Sequence, residues 1–256
     1  MGMGGSLINK TILITGGSRG IGKATAFAFA QEGARVCINF HNNSQAAKET
    51  IDSLPGEGHF AAKADISDPN SAQQLMGLVT TEFGRLDVLV NNAGIYVPHP
   101  VSEIDYYEWQ IAWQEILSIN LIGAANLCYL AARQMMNQGG GHIINVSSRG
   151  AFRGEPENTA YGASKAGLNS LTQSLAVELG KYHIYVTAVA PGFVETDMAK
   201  DLLESPAGKG IKQQSPLGRV ATAEEVANVI LFLASEKAAF LTGAIIDVNG
   251  ASYLRS

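Results

Sequence analysis

Cysteine is scarce in this chain of 256 residues: Cys37 and Cys128 are the only two, and both sit in apolar segments. Thiols so placed read as reduced core residues of a cytoplasmic protein, not as a disulfide framework or a metal pair, and no metal site is expected. Charge is sparse too. Charged residues make up 16% of the chain, the net charge is −5, and no basic cluster occurs, which argues against nucleic acid as a partner. No unbroken apolar run reaches the roughly 18–20 residues that span a bilayer, so no membrane span is expected. The first ten residues lack the basic and long apolar regions of a secretory signal, and 1–8 read as a flexible N-terminus. Linkers, repeats and low-complexity segments are missing as well, so 1–256 reads as one domain.

What the chain does have is 46% hydrophobic residues, arranged as short β-branched runs alternating with helical stretches. Residues 11–15, 34–40, 59–65, 86–90, 143–146, 185–190 and 244–248 read as seven strands. Residues 23–32, 45–54, 71–83, 101–134, 159–179 and 222–235 read as helices, the last opened by the cap pattern Thr222-Ala-Glu-Glu225. Such alternation predicts an α/β fold: a single Rossmann-type doubly wound domain, with a seven-stranded parallel sheet and helices on both faces. The polar stretch at about 196–215, broken by Gly and Pro, suits a lid over a substrate.

The first strand runs into Gly16-Gly-Ser-Arg-Gly20-Ile-Gly22 and then a helix. Glycine lets a backbone approach a pyrophosphate, and a helix N-terminus favours its charge. Gly16, Ser18, Arg19, Gly20, Ile21 and Gly22 are therefore candidate dinucleotide contacts, against the alternative of a glycine-rich turn with no ligand. A carboxylate ending the second strand would take the ribose 2′-hydroxyl of NAD. Here that end reads Asn39-Phe-His-Asn-Asn-Ser44, without an acid, while Arg19 stands in the turn. Both features point to NADP(H) over NAD(H), unless Arg19 is only a solvated turn residue. His41 is either a second partner for a 2′-phosphate or an exposed loop residue. Asp65 and Ile66 end the third strand, where they would contact adenine, unless Asp65 instead caps the next helix. Asn91-Asn-Ala-Gly94 ends the fourth strand at the edge where α/β ligand sites form, making Asn92, Ala93 and Gly94 further candidates.

Tyr161 and Lys165 lie four apart on the 159–179 helix and so share a face. A cation beside a phenol favours the phenolate and lowers the phenol's pKa. With the Ser148 hydroxyl holding a substrate oxygen, the three make a proton donor or acceptor for alcohol–ketone interconversion. Alone, the pair equally describes a surface Tyr and Lys. Asn120 sits in an apolar helical stretch and needs partners: it either braces the backbone or holds a water near the site.

In order and spacing, five motifs together resemble the short-chain dehydrogenase/reductases over nearly the whole length: Thr15-Gly-Gly-Ser-Arg-Gly-Ile-Gly22, Asn91-Asn-Ala-Gly94, Asn120, Ser148 with Tyr161-Gly-Ala-Ser-Lys165, and Pro191-Gly192 with Thr196. The resemblance implies Tyr161 as acid/base, Lys165 lowering its pKa and binding the nicotinamide ribose, Ser148 orienting a carbonyl, and Asn120 holding a water in a relay. It places Pro191, Gly192, Val194 and Thr196 at the nicotinamide. It also implies a small-molecule carbonyl or alcohol substrate and a homo-oligomer, tetramer or dimer. The branch most similar is that of the 3-oxoacyl-acyl-carrier-protein reductases, beside carbonyl, alcohol and sugar reductases. Members that use a carrier protein place basic residues where this chain has Asn137-Gln-Gly139 and Val177, a departure from the pattern. Tyr96, Arg149, Phe152, Arg153, Phe193 and Met198 are candidate substrate contacts, with Val97 and His99 as further candidate walls. Arg149 and Arg153 either meet an anionic group or pair with Glu155 or Glu157. A non-catalytic dinucleotide-binding sensor is the remaining reading.

Overall fold

Seven short strands carry the fold: β1 (Thr11–Ile14), β2 (Arg35–Phe40), β3 (Phe60–Lys63), β4 (Val88–Asn91), β5 (Gly141–Val146), β6 (Ile184–Pro191) and β7 (Ile245–Val248). The computed structural model describes residues 7–255, without the side chains of Asp197 and Met198. The strands form one sheet in the order β3-β2-β1-β4-β5-β6-β7, and every pairing is parallel. β1 and β4 are buried throughout, which is why they read as unbroken apolar runs without alternation.

Among the described residues the helices are α1 (Gly20–Gln31), α2 (Ser44–Ser53), α3 (Pro69–Phe83), α4 (Tyr106–Leu117), α5 (Ala124–Gln138), α6 (Thr159–Leu179), α7 (Asp197–Glu204), α8 (Gly208–Gln213) and α9 (Ala223–Leu233). One core packs Phe29 of α1 and Ile230 of α9 against Ile12, Ile14 and Val90 of the sheet. The other packs Leu75 of α3, Leu127 and Met135 of α5 and Leu179 of α6 against Leu13, Leu89 and Ile143. Helices therefore cover both faces, as the alternation predicts. The order reverses between β1 and β4, and the crevice beyond their C-terminal ends is where this architecture binds ligands.

Several local expectations change. The fourth helix starts at Tyr106, five residues later than its apolar pattern suggests, because Asp105 and Glu108 close a capping box there. Asp68, not Asp65, caps α3; the Asp65 carboxylate accepts from the Ser67 N–H and hydroxyl instead. The run from Tyr106 to Gln138 is one continuous helical rod whose middle, Ser118–Gly123, is a wider π turn. It contains an 18-residue window that is long and apolar enough to cross a membrane, which a search for unbroken apolar runs passes over. In the fold, α5 instead lies against α3, α6, β4 and β5. Leu7 is already buried in the first core, and most of the expected loose N-terminus, 1–6, falls outside the described residues. The expected lid folds as α7 and α8.

Candidate active site

The turns after β1 and β4 are stitched together at the sheet's reversal point. The Thr15 hydroxyl accepts from the N–H groups of Asn92 and Ala93, both at 3.0 Å, and the Asn92 amide donates back to the carbonyls of Thr15 (2.9 Å) and Gly16 (3.0 Å). Gly22 makes this close approach possible. A Cβ there would lie 2.3 Å from the Gly16 carbonyl oxygen and 2.6 Å from the Asn92 amide nitrogen. Gly22 is thus a packing glycine beneath the turn and does not line the cleft expected of it. No side chain caps α1 at Arg19, so the first-turn N–H groups remain available to an anion.

A cleft of about 580 Å³ opens over these turns. Its lining includes Gly16, Ser18, Arg19, Gly20, Ile21, His41, Asp65, Ile66, Asn92, Ala93 and Gly94 from the first half of the chain. His41 Nε2 stands 3.8 Å from Asp65, whose carboxyl is held below the usual range first by the Ser67 hydroxyl. Ser148, Tyr161, Lys165, Pro191, Gly192, Val194 and Thr196 line it from the second half. Thr196 packs back on Gly20, where a Cβ would meet its Cγ2 at 3.1 Å.

α6 and β5 deliver the Tyr–Lys–Ser cluster. Lys165 is buried; its ammonium donates to the Val146 carbonyl at 2.8 Å and lies 5.8 Å from the Tyr161 ring centre. Burial lowers its pKa to about 8. Tyr161 keeps an edge on the cleft, yet burial of its hydroxyl pushes the phenol up to about 12, against a downward pull from the Ser148 hydroxyl. The expected depression of the phenol by Lys165 is not found, because the ammonium is turned to the Val146 carbonyl and is itself desolvated. Asn120 is buried in the π turn. Its amide donates to the Ile95 carbonyl (3.0 Å) and the Ser164 hydroxyl (3.3 Å), and its oxygen accepts the Ile95 N–H at 2.8 Å. It braces the loop after β4 from directly behind Gly94.

The candidate substrate contacts divide. Tyr96 lines the cleft, its ring edge-on to Tyr161 at 4.9 Å. Phe193 and Arg149 line it too, but Arg149 is buried, stacked on Phe193 at 4.9 Å, and spends its guanidinium on Ser252 and Gln214 at 2.7 Å each. Phe152 and Arg153 are not part of the wall. Arg255 stacks on the Phe152 ring at 4.1 Å, the Tyr253 hydroxyl donates to the Phe152 carbonyl, and Arg153 lies 4.0 Å from Glu155. The Met198 side chain lies outside the described part.

His99 also leaves the wall. It is buried edge-on to Trp109, with Nδ1 at 2.7 Å from the Val97 carbonyl, so Nδ1 carries the proton and Nε2 accepts the Ala160 N–H at 3.1 Å. The helix N-cap, Asn158, makes no side-chain cap bond, and His99 caps the Tyr–Lys helix from the neighbouring loop. His99→Ala strands that N–H and opens a void. It is expected to lose about 2–3 kcal/mol in urea unfolding; a loss under about 0.5 kcal/mol would mean that water replaces the cap. The cleft also includes residues the sequence reading did not single out as contacts, among them Asn42, Asn43, Ile119, Val146 and Leu202, and above all Glu155. The sequence marked Glu155 only as a candidate partner of Arg149 or Arg153 and by its position between Ser148 and Tyr161.

A family profile described as enoyl-(acyl carrier protein) reductase matches residues 16–251. A 3-oxoacyl-[acyl-carrier-protein] reductase FabG of Staphylococcus aureus is 38% identical over 249 residues, spanning 96% of this chain and 99% of its own. The chain belongs to the short-chain dehydrogenase/reductase family. An L-rhamnose 1-dehydrogenase (NAD(P)(+)) of Sphingomonas is 39% identical over 254 residues, spanning 97% of this chain and 98% of its own, and a FabG of Chlamydia trachomatis is 38% identical over 250. As a short-chain dehydrogenase/reductase the protein is an NAD(P)-dependent oxidoreductase. The residues fit such a cofactor: α1 meets the cleft uncapped, with Gly16, Ser18 and Gly20 lining it at that helix N-terminus.

Proposed function

We propose that this enzyme interconverts a carbonyl and a secondary alcohol, using NADP(H) in preference to NAD(H). The observation that carries the reading is the gathering of Ser148, Tyr161 and Lys165 in the same cleft that the glycine turn lines. A nicotinamide held there would supply or accept the hydride. Ser148 holds the substrate oxygen and Tyr161 gives or takes the proton there. Lys165 holds the ribose beside them. Asn120 fixes the loop through Ile95, with the Gly94 edge in front of it. Pro191, Gly192, Val194 and Thr196 hold the nicotinamide end, and the turn from Gly16 to Ile21, with Asp65, Ile66 and Asn92 to Gly94, holds the adenosine and phosphates. Incubation with NADPH and a panel of ketones, aldehydes and sugars, followed by loss of reduced-nicotinamide absorbance, tests the activity. No consumption with any of them would leave a sensor.

The NADP(H) preference is supported by exposed Arg19 on the cleft and by the acid-free end of β2, where Asn39 is buried on the carbonyls of Ala62 and Ala64. NADPH is expected to bind about 10- to 100-fold more tightly than NADH, the range of one or two charge-assisted hydrogen bonds, and Arg19→Ala to remove most of that gap. Tighter NADH binding would overturn the preference.

The FabG relatives favour a second reading, 3-oxoacyl-[acyl-carrier-protein] reduction. Against it, Val177 is 88% exposed where a basic side chain would serve an acidic carrier protein. Acetoacetyl thioesters beside simple ketones in the same panel separate the two. Exposed Tyr106, Tyr107, Ile111, Tyr129 and Val177 on α4, α5 and α6 support a homo-oligomer.

A further inference from the structure

Glu155 belongs to no part of the mechanism above, yet it stands at the reacting end of the cleft. Its side chain is only 18% exposed. It lies across Gly150 and Gly162: a Cβ on Gly150 would come within 2.7 Å of the carboxylate oxygen, and one on Gly162 within 3.9 Å of Cγ. Gly150 follows Ser148 by two residues and Gly162 follows Tyr161 by one, so Glu155 lies against both segments that carry the groups that would hold the substrate oxygen. Its charge acts on the phenols of both Tyr161 and Tyr96, pushing each upward. Burial raises its own carboxyl.

This carboxylate accepts no hydrogen bond among the described residues. Arg153 Nε lies 4.0 Å away, beyond hydrogen-bond reach. Arg149 is near enough to act through charge, but its donors go to Ser252 and Gln214. A largely desolvated carboxylate is an acceptor only, and leaving it without a donor is costly. A molecule that displaces water from this carboxylate must bring the donor. An ammonium would meet the charges of Arg149 and Arg153, and an anion would meet Glu155 itself. A neutral hydroxyl meets neither objection, whereas the alkyl chain of a simple ketone or acyl group offers no donor.

We propose that Glu155 selects the substrate, its carboxylate accepting a hydrogen bond from a hydroxyl next to the reacting carbonyl, so that the enzyme acts on hydroxylated carbonyl compounds of the sugar or polyol kind. This rests on the carbonyl–alcohol reading of the site.

The test compares 1-hydroxybutan-2-one with pentan-3-one, which replaces the hydroxyl by a methyl, under NADPH. The wild type is expected to favour the hydroxyketone by about 10- to 100-fold in kcat/KM, the range of a hydrogen bond to a charged group. Glu155→Ala is expected to lower that ratio by about tenfold or more, and Glu155→Gln, nearly isosteric and still an acceptor, to lie between. NADPH binding by both variants shows that they are folded. A purely structural Glu155, holding the loop through Arg153, would lower both substrates together and leave the ratio unchanged. An unchanged ratio in both variants, or no preference in the wild type, overturns this inference while leaving the carbonyl–alcohol reading intact. No NADPH consumption with any ketone, aldehyde or sugar overturns both.

Discussion

Tyr161→Phe is expected to lower turnover about 10²- to 10⁴-fold, the span attributed to a positioned acid or base, while NADPH still binds. The substitution removes one oxygen and keeps the ring, so the edge-on contact with Tyr96 and the seat of α6 survive. With its phenol pushed up to about 12, Tyr161 holds its proton at neutral pH. It is therefore a donor to the oxygen that gains charge during reduction. Oxidation needs the phenolate, so the oxidative rate is expected to climb with pH through the alkaline range, where the reductive rate does not rise. Near-normal turnover of Tyr161→Phe, measured by nicotinamide absorbance, would sink the proposed mechanism.

Lys165→Met is expected to abolish most activity and to change how stability depends on pH. In the unfolded chain the amine holds its proton up to about 10.5, and in the fold only to about 8. Between these values the unfolded state binds the proton and the folded state does not, so the wild type gains stability as pH rises, and below pH 8 the whole desolvation penalty stands. Methionine has no such penalty. Denaturant unfolding should therefore show the wild type gaining about 3 kcal/mol on Lys165→Met from pH 7 to 10.5, at about 1.4 kcal/mol per pKa unit. Tyr161 is present in both proteins and largely cancels. A pH-independent difference would mean that the ammonium is solvated. A penalty of this size on a side chain that, among the described residues, is bonded only to a carbonyl is the kind of strain that functional sites keep.

The parts of the fold set by local pattern were legible. Parallel strands buried on both faces announce themselves as apolar runs, and the α6 boundaries follow from small and apolar residues at helical spacing. The Asp105–Glu108 box was legible in principle, but the apolar residues preceding it masked the helix start. The site was harder wherever a side chain's fate depended on distant chain. Arg149 looked like an exposed cation beside Ser148, and its burial is decided by Ser252 and Gln214. Phe152 looked like a wall, and the C-terminal Tyr253 and Arg255 draw it away. His99 looked like another wall, and its ring is committed to Val97 and Ala160. Lys165 was expected to act on the phenol directly, a matter of which way one flexible side chain turns, and no spacing rule encodes that.

The π turn at Ser118–Gly123 absorbs one residue more than an α-helical turn, so α4 and α5 keep a common phase across it. It is there that the Asn120 amide reaches both Ile95 and Ser164. Deleting a single residue from this segment would let the rod close into regular α-helix with α4 and α5 still in phase. The effect would fall on Asn120, and the loop that carries Tyr96 would lose its hold through Ile95. A deletion between Trp109 and the π turn has nothing to absorb it. It would turn everything on its N-terminal side by about 100° and carry Trp109 away from His99. A substitution at the exposed Ile122 would leave both the phase and the brace untouched.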